Sequence, residues 1–172
     1  MWHAPPFSHV EQIGILVIDV LRPRGRGVTL RFVKKTVEPD MKLIDAMTMM
    51  EAALAEARKR EFGVCIAIVD AGAWPVAFTR MDGVPLGLID VATKKARTAA
   101  LFHMDSADLA TIARPQGEAY TLENTNGGLT SFGGGLVLRG AHGNVVGAIG
   151  VSGAPTQDDI AIARIAANTL GA

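Results

Sequence analysis

A run of three glycines constrains this chain more than any other feature, because it stands at the start of a predicted strand. Residues 133–135 precede the apolar stretch 136–139, and the predicted return strand, 145–151, carries Gly147 and Gly150. Glycine weakens a strand and marks a bulge or the close approach of another backbone or a ligand. Two interpretations follow. The glycines either leave backbone groups accessible to a ligand or allow helices to pack tightly on the sheet.

The remaining elements follow from hydrophobic periodicity and turn residues. Residues 64–70 are apolar on both faces, which predicts a central strand, and residues 74–81 return as its hairpin partner. Consecutive hairpins favour an antiparallel sheet with helices packed on it over a parallel sheet. Further predicted elements are strands at 14–21 and 28–33, helices at 40–60, 85–103 and 105–114, and a last helix from Thr156.

Helix ends and faces give more detailed predictions. Asp40 is a plausible N-cap for the first helix, and capping boxes are predicted at 105–108 and 156–159. The predicted apolar stripe of the first helix is Leu43, Met47, Met50, Leu54 and Ala57.

Composition narrows the class of protein. The length of 172 residues suits one domain, and 17 basic residues balance 17 acidic ones, so no net basic charge points to nucleic acid. The one cysteine, Cys65, excludes an internal disulfide and a multi-cysteine metal site, and its apolar neighbours predict a buried, inert thiol. The longest apolar run is too short to span a membrane and lacks the flanks of a signal peptide, which predicts a cytoplasmic protein.

Cationic side chains near the glycine-rich strands favour an anionic small molecule. The helix that begins near Thr156 adds free N–H groups and the positive end of its dipole, which suit a carboxylate or a phosphate. Asp82 and Asp158 are candidate general bases, although turn and capping roles explain them equally well. The candidate ligand-binding residues are Arg80, Lys95, Arg97, Phe132, Gly133, Gly134, Gly135, Ser152 and Gly153.

The four histidines, His3, His9, His103 and His142, show no spacing typical of a multi-ligand metal site, so no metal site is predicted. His103 lies on the predicted apolar side of the second long helix, near its C-terminal end. A histidine there suits haem ligation, and it equally suits a packing or capping role.

Several motifs resemble the GlcG/HbpS-like family, whose relatives include the C-terminal domain of PduO-type proteins. They are Ile66 to Gly72, Arg80 to Gly83, Lys95 to Ala100, Phe132 to Leu136 and Gly147 to Gly153. The resemblance implies an α/β (α+β), profilin-like fold with a five-stranded antiparallel sheet flanked by helices. It also implies homo-oligomers of six or eight subunits, and an association with haem or with catabolic operons.

The sequence therefore predicts an N-terminal extension at 1–37 and a family domain at 38–172. The expected function is a cytoplasmic, oligomeric protein that binds haem or another planar anionic ligand, with His103 as the candidate haem ligand and no nucleic-acid or membrane partner. Two alternatives stay open. One is an enzyme or accessory factor acting on a small carboxylate in a catabolic pathway, and the other is a structural oligomer without a ligand.

Overall fold

The structure, a computed structural model, describes residues 14–19, 29–34 and 41–171. The chain divides into two units, residues 1–38 and 39–172, and each is described by itself. The predicted domain boundary at 37/38 stays a prediction.

Within the first unit, the described residues form an antiparallel pair of strands. Strand β1 (Gly14–Asp19) pairs with β2 (Thr29–Lys34), with Gly14 opposite Lys34 and Asp19 opposite Thr29. Both strands were predicted from the sequence, and both are confirmed. The predicted N-cap Asp40 and the histidines His3 and His9 lie outside the described residues.

The second unit is an α+β fold whose helices flank an antiparallel sheet. In chain order its elements are α1 (Leu43–Lys59), β3 (Cys65–Asp70), β4 (Pro75–Arg80), α2 (Gly87–Phe102), α3 (Ser106–Ala113), a short 3-10 helix (Leu122–Asn124), β5 (Gly135–Arg139), β6 (Val145–Ser152) and α4 (Thr156–Ala167).

The sheet of this unit has the strand order β4-β3-β6-β5, and every neighbouring pair is antiparallel. The five-stranded sheet implied by the family resemblance is therefore wrong for residues 41–171, where four strands are found. The chain between β4 and β5 forms helices and turns, so it supplies no further strand. Strand β3 lies in the interior of the sheet and is buried on both faces, as its apolar run predicted.

The two faces of the sheet carry different helices. On one face, Cys65, Ala67 and Val69 pack with the alanines of α2. On the other face, Ile66 and Ile68 belong to a larger cluster that includes residues of α1 and α4. The small side chains of α2 allow its backbone to approach β6 closely, which positions the residues discussed below.

The predicted apolar stripe of α1 is confirmed in part: Met50 and Ala57 are buried and Leu54 packs against the core, but Leu43 and Met47 do not. Leu43 is 62% exposed and Met47 is 43% exposed, so these two large side chains face away from the core. The buried side of the helix combines three alanines with two methionines, and the alanines permit a close approach of its neighbours. The buried residues of α1 are Ala46, Met49, Met50, Ala53 and Ala57.

Cys65 is fully buried against α2, and burial raises the pKa of its thiol above the ordinary value. Because the thiolate is the reactive form, both effects protect it. We expect a thiol reagent such as Ellman's reagent to modify the folded protein more than about a thousandfold slower than the unfolded protein, since modification requires opening. Fast reaction of the folded protein would contradict the placement of Cys65.

Candidate functional site

The glycine run before β5 is packed against protein on all three of its residues. A Cβ atom on Gly133 would lie 2.4 Å from Cδ1 of Ile160, and one on Gly135 would lie 2.3 Å from the carbonyl oxygen of Lys95. Gly134 has a φ of +115°, and its Cβ would lie 2.6 Å from the oxygen of Val151. The expectation of accessible backbone at these glycines needs correction, because the space is filled by α2, α4 and β6.

Ser152, the last residue of β6, is enclosed in the same way, whereas Gly153 after it is exposed. Ser152 is 3% exposed. A Cβ on Gly153 would lie 2.3 Å from the oxygen of Gly63. The burial of Ser152 fits packing better than the expected contact with a ligand, and a contact of Gly153 with a ligand stays a prediction.

The start of α3 holds the glycine run in place. Ser106 donates a hydrogen bond from Oγ to the oxygen of Phe132 at 2.7 Å and accepts one from the N–H of Gly135 at 2.9 Å. Asp105 accepts a hydrogen bond from the N–H of Val137 at 3.0 Å. The capping box predicted at 105–108 is wrong, since these side chains bind the edge strand β5 and make no cap bond to α3.

A buried ion pair joins α2 to α4 beside Gly134. Lys95 is fully buried, and its Nζ lies 2.7 Å from Oδ2 of Asp159 and 2.8 Å from the oxygen of Val151. Asp159 also accepts a hydrogen bond from the N–H of Ala154 at 3.0 Å. The predicted capping box at 156–159 is therefore also wrong, because Asp159 serves this pair and α4 has no side-chain cap.

Burial controls the ionisation of both members of this pair. It lowers the pKa of Lys95 and raises the pKa of Asp159, while the attraction between the two charges opposes each change. Phe132, whose side chain is 48% exposed, lies over the ammonium group with its ring centroid 4.8 Å from Nζ. Lys95 thus directs its charge inward, which corrects the expectation of a cation offered to a ligand.

The two candidate bases lie in ordinary surroundings. Asp158 forms an ion pair with Arg60, with 2.8 Å between Oδ1 and Nη1. Arg60 is also bound by Glu56, and these hydrogen bonds raise the pKa of its guanidinium. Asp82 is exposed in the turn after β4. A general-base role for either aspartate stays a prediction, and the placement of Asp158 matches a link between α1 and α4.

The structure does not bring Arg80 and Arg97 together. Arg80 is exposed at the end of β4 and pairs in register with Cys65. Arg97 donates to the oxygen of Ala73 at 3.3 Å, in the turn that precedes β4. Because β4 runs between these points, the two guanidinium groups belong to opposite ends of the sheet. These two candidate ligand-binding residues therefore do not belong to one site.

His103 lies at the surface, not on the apolar side of α2 as expected. It ends the helix in the left-handed conformation with a φ of +56°, and it is exposed. Arg139 donates to the oxygen of His103 at 2.7 Å and to the oxygen of Gly143 at 3.0 Å. One guanidinium therefore ties the end of α2 to the turn between β5 and β6, which carries the exposed His142. No sequence pattern pointed to Arg139.

Two kinds of site are not found in the described part of the chain. Within residues 41–171, no three His, Cys, Asp or Glu side chains are placed to hold a metal ion. None of the helices described there is long and apolar enough to cross a membrane.

Comparison with known proteins gives consistent matches. A family model described as haem-degrading protein, HbpS-like, matches residues 41–168. The corrinoid adenosyltransferase PduO of Salmonella typhimurium is 30% identical over 134 residues, a stretch that covers 77% of this chain and 40% of PduO. The chain thus spans less than half the length of that relative.

Two solved structures share the fold at comparable identity. The crystal structure of a PduOC–haem complex superposes with a TM-score of 0.73 at 28% identity, covering 77% of this chain and 96% of that one. A double mutant of HbpS from Streptomyces reticuli gives a TM-score of 0.73 at 30% identity, covering 87% of this chain and all of that one (100%).

Proposed function

This chain belongs to the HbpS-like family of haem-degrading proteins, and we propose that it binds haem through His103. Support comes from the similar PduOC structure, which was determined as a haem complex. Within this chain, the proposal rests on His103, whose imidazole is exposed while its backbone is held in place. A histidine is a common axial ligand of haem iron.

The surroundings of His103 fit this role. Its neighbours Phe102 and Met104 pack against the small cluster around Leu109, and Arg139 holds its carbonyl oxygen. The main chain on both sides is therefore fixed while the side chain faces solvent. Leu101, two residues earlier, is 38% exposed and offers apolar surface for a porphyrin. A left-handed histidine is uncommon and persists where surrounding contacts determine it.

Each group has a separate task in this proposal. Haem, when bound, would supply the iron that gives the complex its chemistry. His103 would hold the iron, and Arg139 positions the backbone of His103 through its carbonyl oxygen. His142, on the turn that Arg139 also holds, borders the same surface. The cytoplasmic location, the profilin-like description and the homo-oligomer of six or eight subunits are further parts of the proposal. Exposed apolar side chains such as Leu43 and Leu86 support self-association.

Haem titration of wild-type protein and of His103→Asn tests the proposal. Asparagine tolerates the left-handed conformation, so this change removes the imidazole with little backbone strain. We expect the wild type to shift the Soret band of haem at low micromolar concentrations. The variant should lose the shift and bind at least about tenfold more weakly, which corresponds to about 1.4 kcal/mol.

His142→Asn is the matched control, because it removes the neighbouring imidazole and leaves His103 unchanged. We expect it to retain the Soret shift. A flat titration of the wild-type protein would contradict haem binding. A shift that survives in His103→Asn would contradict the assignment of the ligand while leaving haem binding itself intact.

A further inference from the structure

Arg97 carries a charge that no acidic group neutralises in the described part of the chain. Its guanidinium is half-buried and donates two long hydrogen bonds, to the oxygen of Ala73 at 3.3 Å and to the oxygen of Asn126 at 3.5 Å. None of the ion pairs found among the described residues includes Arg97. Charges that are partly removed from water are normally paired, so a half-buried arginine without a carboxylate indicates an anion from outside.

The loop that accepts one of these bonds has an unusual backbone. Asn126, Gly127 and Gly128 all have positive φ, at +54°, +74° and +98°. A Cβ on Gly128 would lie 2.9 Å from Cε of Lys94, so the lysine stem runs against this loop. The Lys94 ammonium pairs with Asp90 at 2.8 Å. Lys94 therefore has an acidic partner, whereas none of the ion pairs among the described residues neutralises Arg97.

Trp74 places an aromatic ring next to the residue that Arg97 contacts. Its backbone N–H donates to Oδ1 of Asp70 at 2.8 Å, while its side chain is 69% exposed. A Cβ on Gly72 would lie 3.1 Å from Cδ1 of the indole, so glycine at that position leaves room for the ring. An exposed indole costs free energy in water and offers a flat face for stacking.

We propose that Arg97 and Trp74 form a binding site for a planar aromatic carboxylate. The guanidinium fork matches both oxygens of a carboxylate, and the indole stacks on the attached ring. The site contains neither His103 nor any residue that holds it, so it is independent of the proposed haem function. The segment between α3 and β5 contributes a second backbone contact to Arg97, through the oxygen of Asn126.

Tryptophan fluorescence gives a direct test. The chain has two tryptophans, Trp2 and Trp74, so Trp2→Phe makes Trp74 the only reporter. We expect benzoate to change the emission of this variant in a saturable manner. Adding Arg97→Gln should weaken benzoate binding at least about tenfold, because it removes a charge-assisted pair of hydrogen bonds. Arg58→Gln is the matched control, since Arg58 is exposed on α1, and it should bind as the parent does.

Further probes separate the parts of the proposal. Acetate and inorganic phosphate carry the charge without the ring, and both should bind more weakly than benzoate. The proposal is overturned if benzoate causes no saturable change in emission. It is also overturned if Arg97→Gln binds benzoate as tightly as the parent does, or if phosphate binds as tightly as benzoate. If Arg97→Gln does not fold, calorimetry on Trp74→Leu decides. If the heat of benzoate binding is lost in Trp74→Leu, the site is supported. If the heat of binding is unchanged, the proposal is overturned.

Discussion

Replacing Gly150 with alanine is expected to lower the free energy of unfolding by about 3 kcal/mol, at the upper end of the usual cost of overpacking. The added Cβ would lie 2.1 Å from the oxygen of Ala92 and 2.6 Å from the nitrogen of Ala96. Both atoms belong to the backbone of α2, so the helix would have to move away from β6. Urea denaturation of the wild type and the variant measures the change as a shift of the midpoint.

Gly87→Ala is the control for this prediction. A Cβ on Gly87 would meet no atom within 4 Å, and the residue lies at the start of α2. Alanine there should leave stability unchanged or raise it by up to about 1 kcal/mol, because alanine favours helix. An equal loss in both variants would mean that the close approach of α2 to β6 is not what limits residue size at Gly150.

The second large effect is expected from the buried pair. Lys95→Met or Asp159→Leu alone should cost about 3–5 kcal/mol, because each leaves one charge buried without its partner. The side chains of Lys95 and Asp159 are 0% and 4% exposed. For comparison, Lys94 and Asp90 are 31% and 66% exposed, and Lys94→Met should cost no more than about 0.5 kcal/mol. Chemical denaturation of the three variants measures the free energy of unfolding of each and so ranks the three losses.

The double variant Lys95→Met/Asp159→Leu tests the cause of that loss. With both charges gone, no ion is left unpaired, and apolar side chains fill the space between α2 and α4. We expect the double variant to be more stable than either single variant, so the two losses are far from additive. Additive losses would show that the residues act independently and that the pairing contributes little.

The fold could be predicted from the sequence wherever a local pattern determines it. Periodicity and turn residues were enough to predict three elements. These are the apolar strand that ends at Asp70, the hairpin strand that ends at Arg80 and the helix after Pro85. The number of strands came from the family resemblance instead and was wrong for the described unit, which has four. The residues between β4 and β5 carry no period-2 pattern that would indicate a further strand.

The candidate site was harder to predict, because it depends on residues that are distant in sequence. Lys95 and Asp159 are 64 residues apart, so nothing near either one showed that the pair would be buried. The two interpretations of Gly134, ligand contact and tight packing, differ only in what occupies the space where a side chain would lie. The side chain of Lys95 fills that space. His103 fell on the helical stripe, but its left-handed backbone turns it away from the stripe.

The strand order of the sheet also determines the sequence of events in which this unit can fold. The hairpins β3–β4 and β5–β6 join neighbours along the chain, whereas the central pairing brings Asp70 against Gly147. Closing that long loop costs more conformational entropy than forming either hairpin, so we expect this pairing to form late and to limit the folding rate. Helix α2 belongs to the intervening segment and contacts both central strands. Its docking therefore connects two locally formed halves into one cooperative unit.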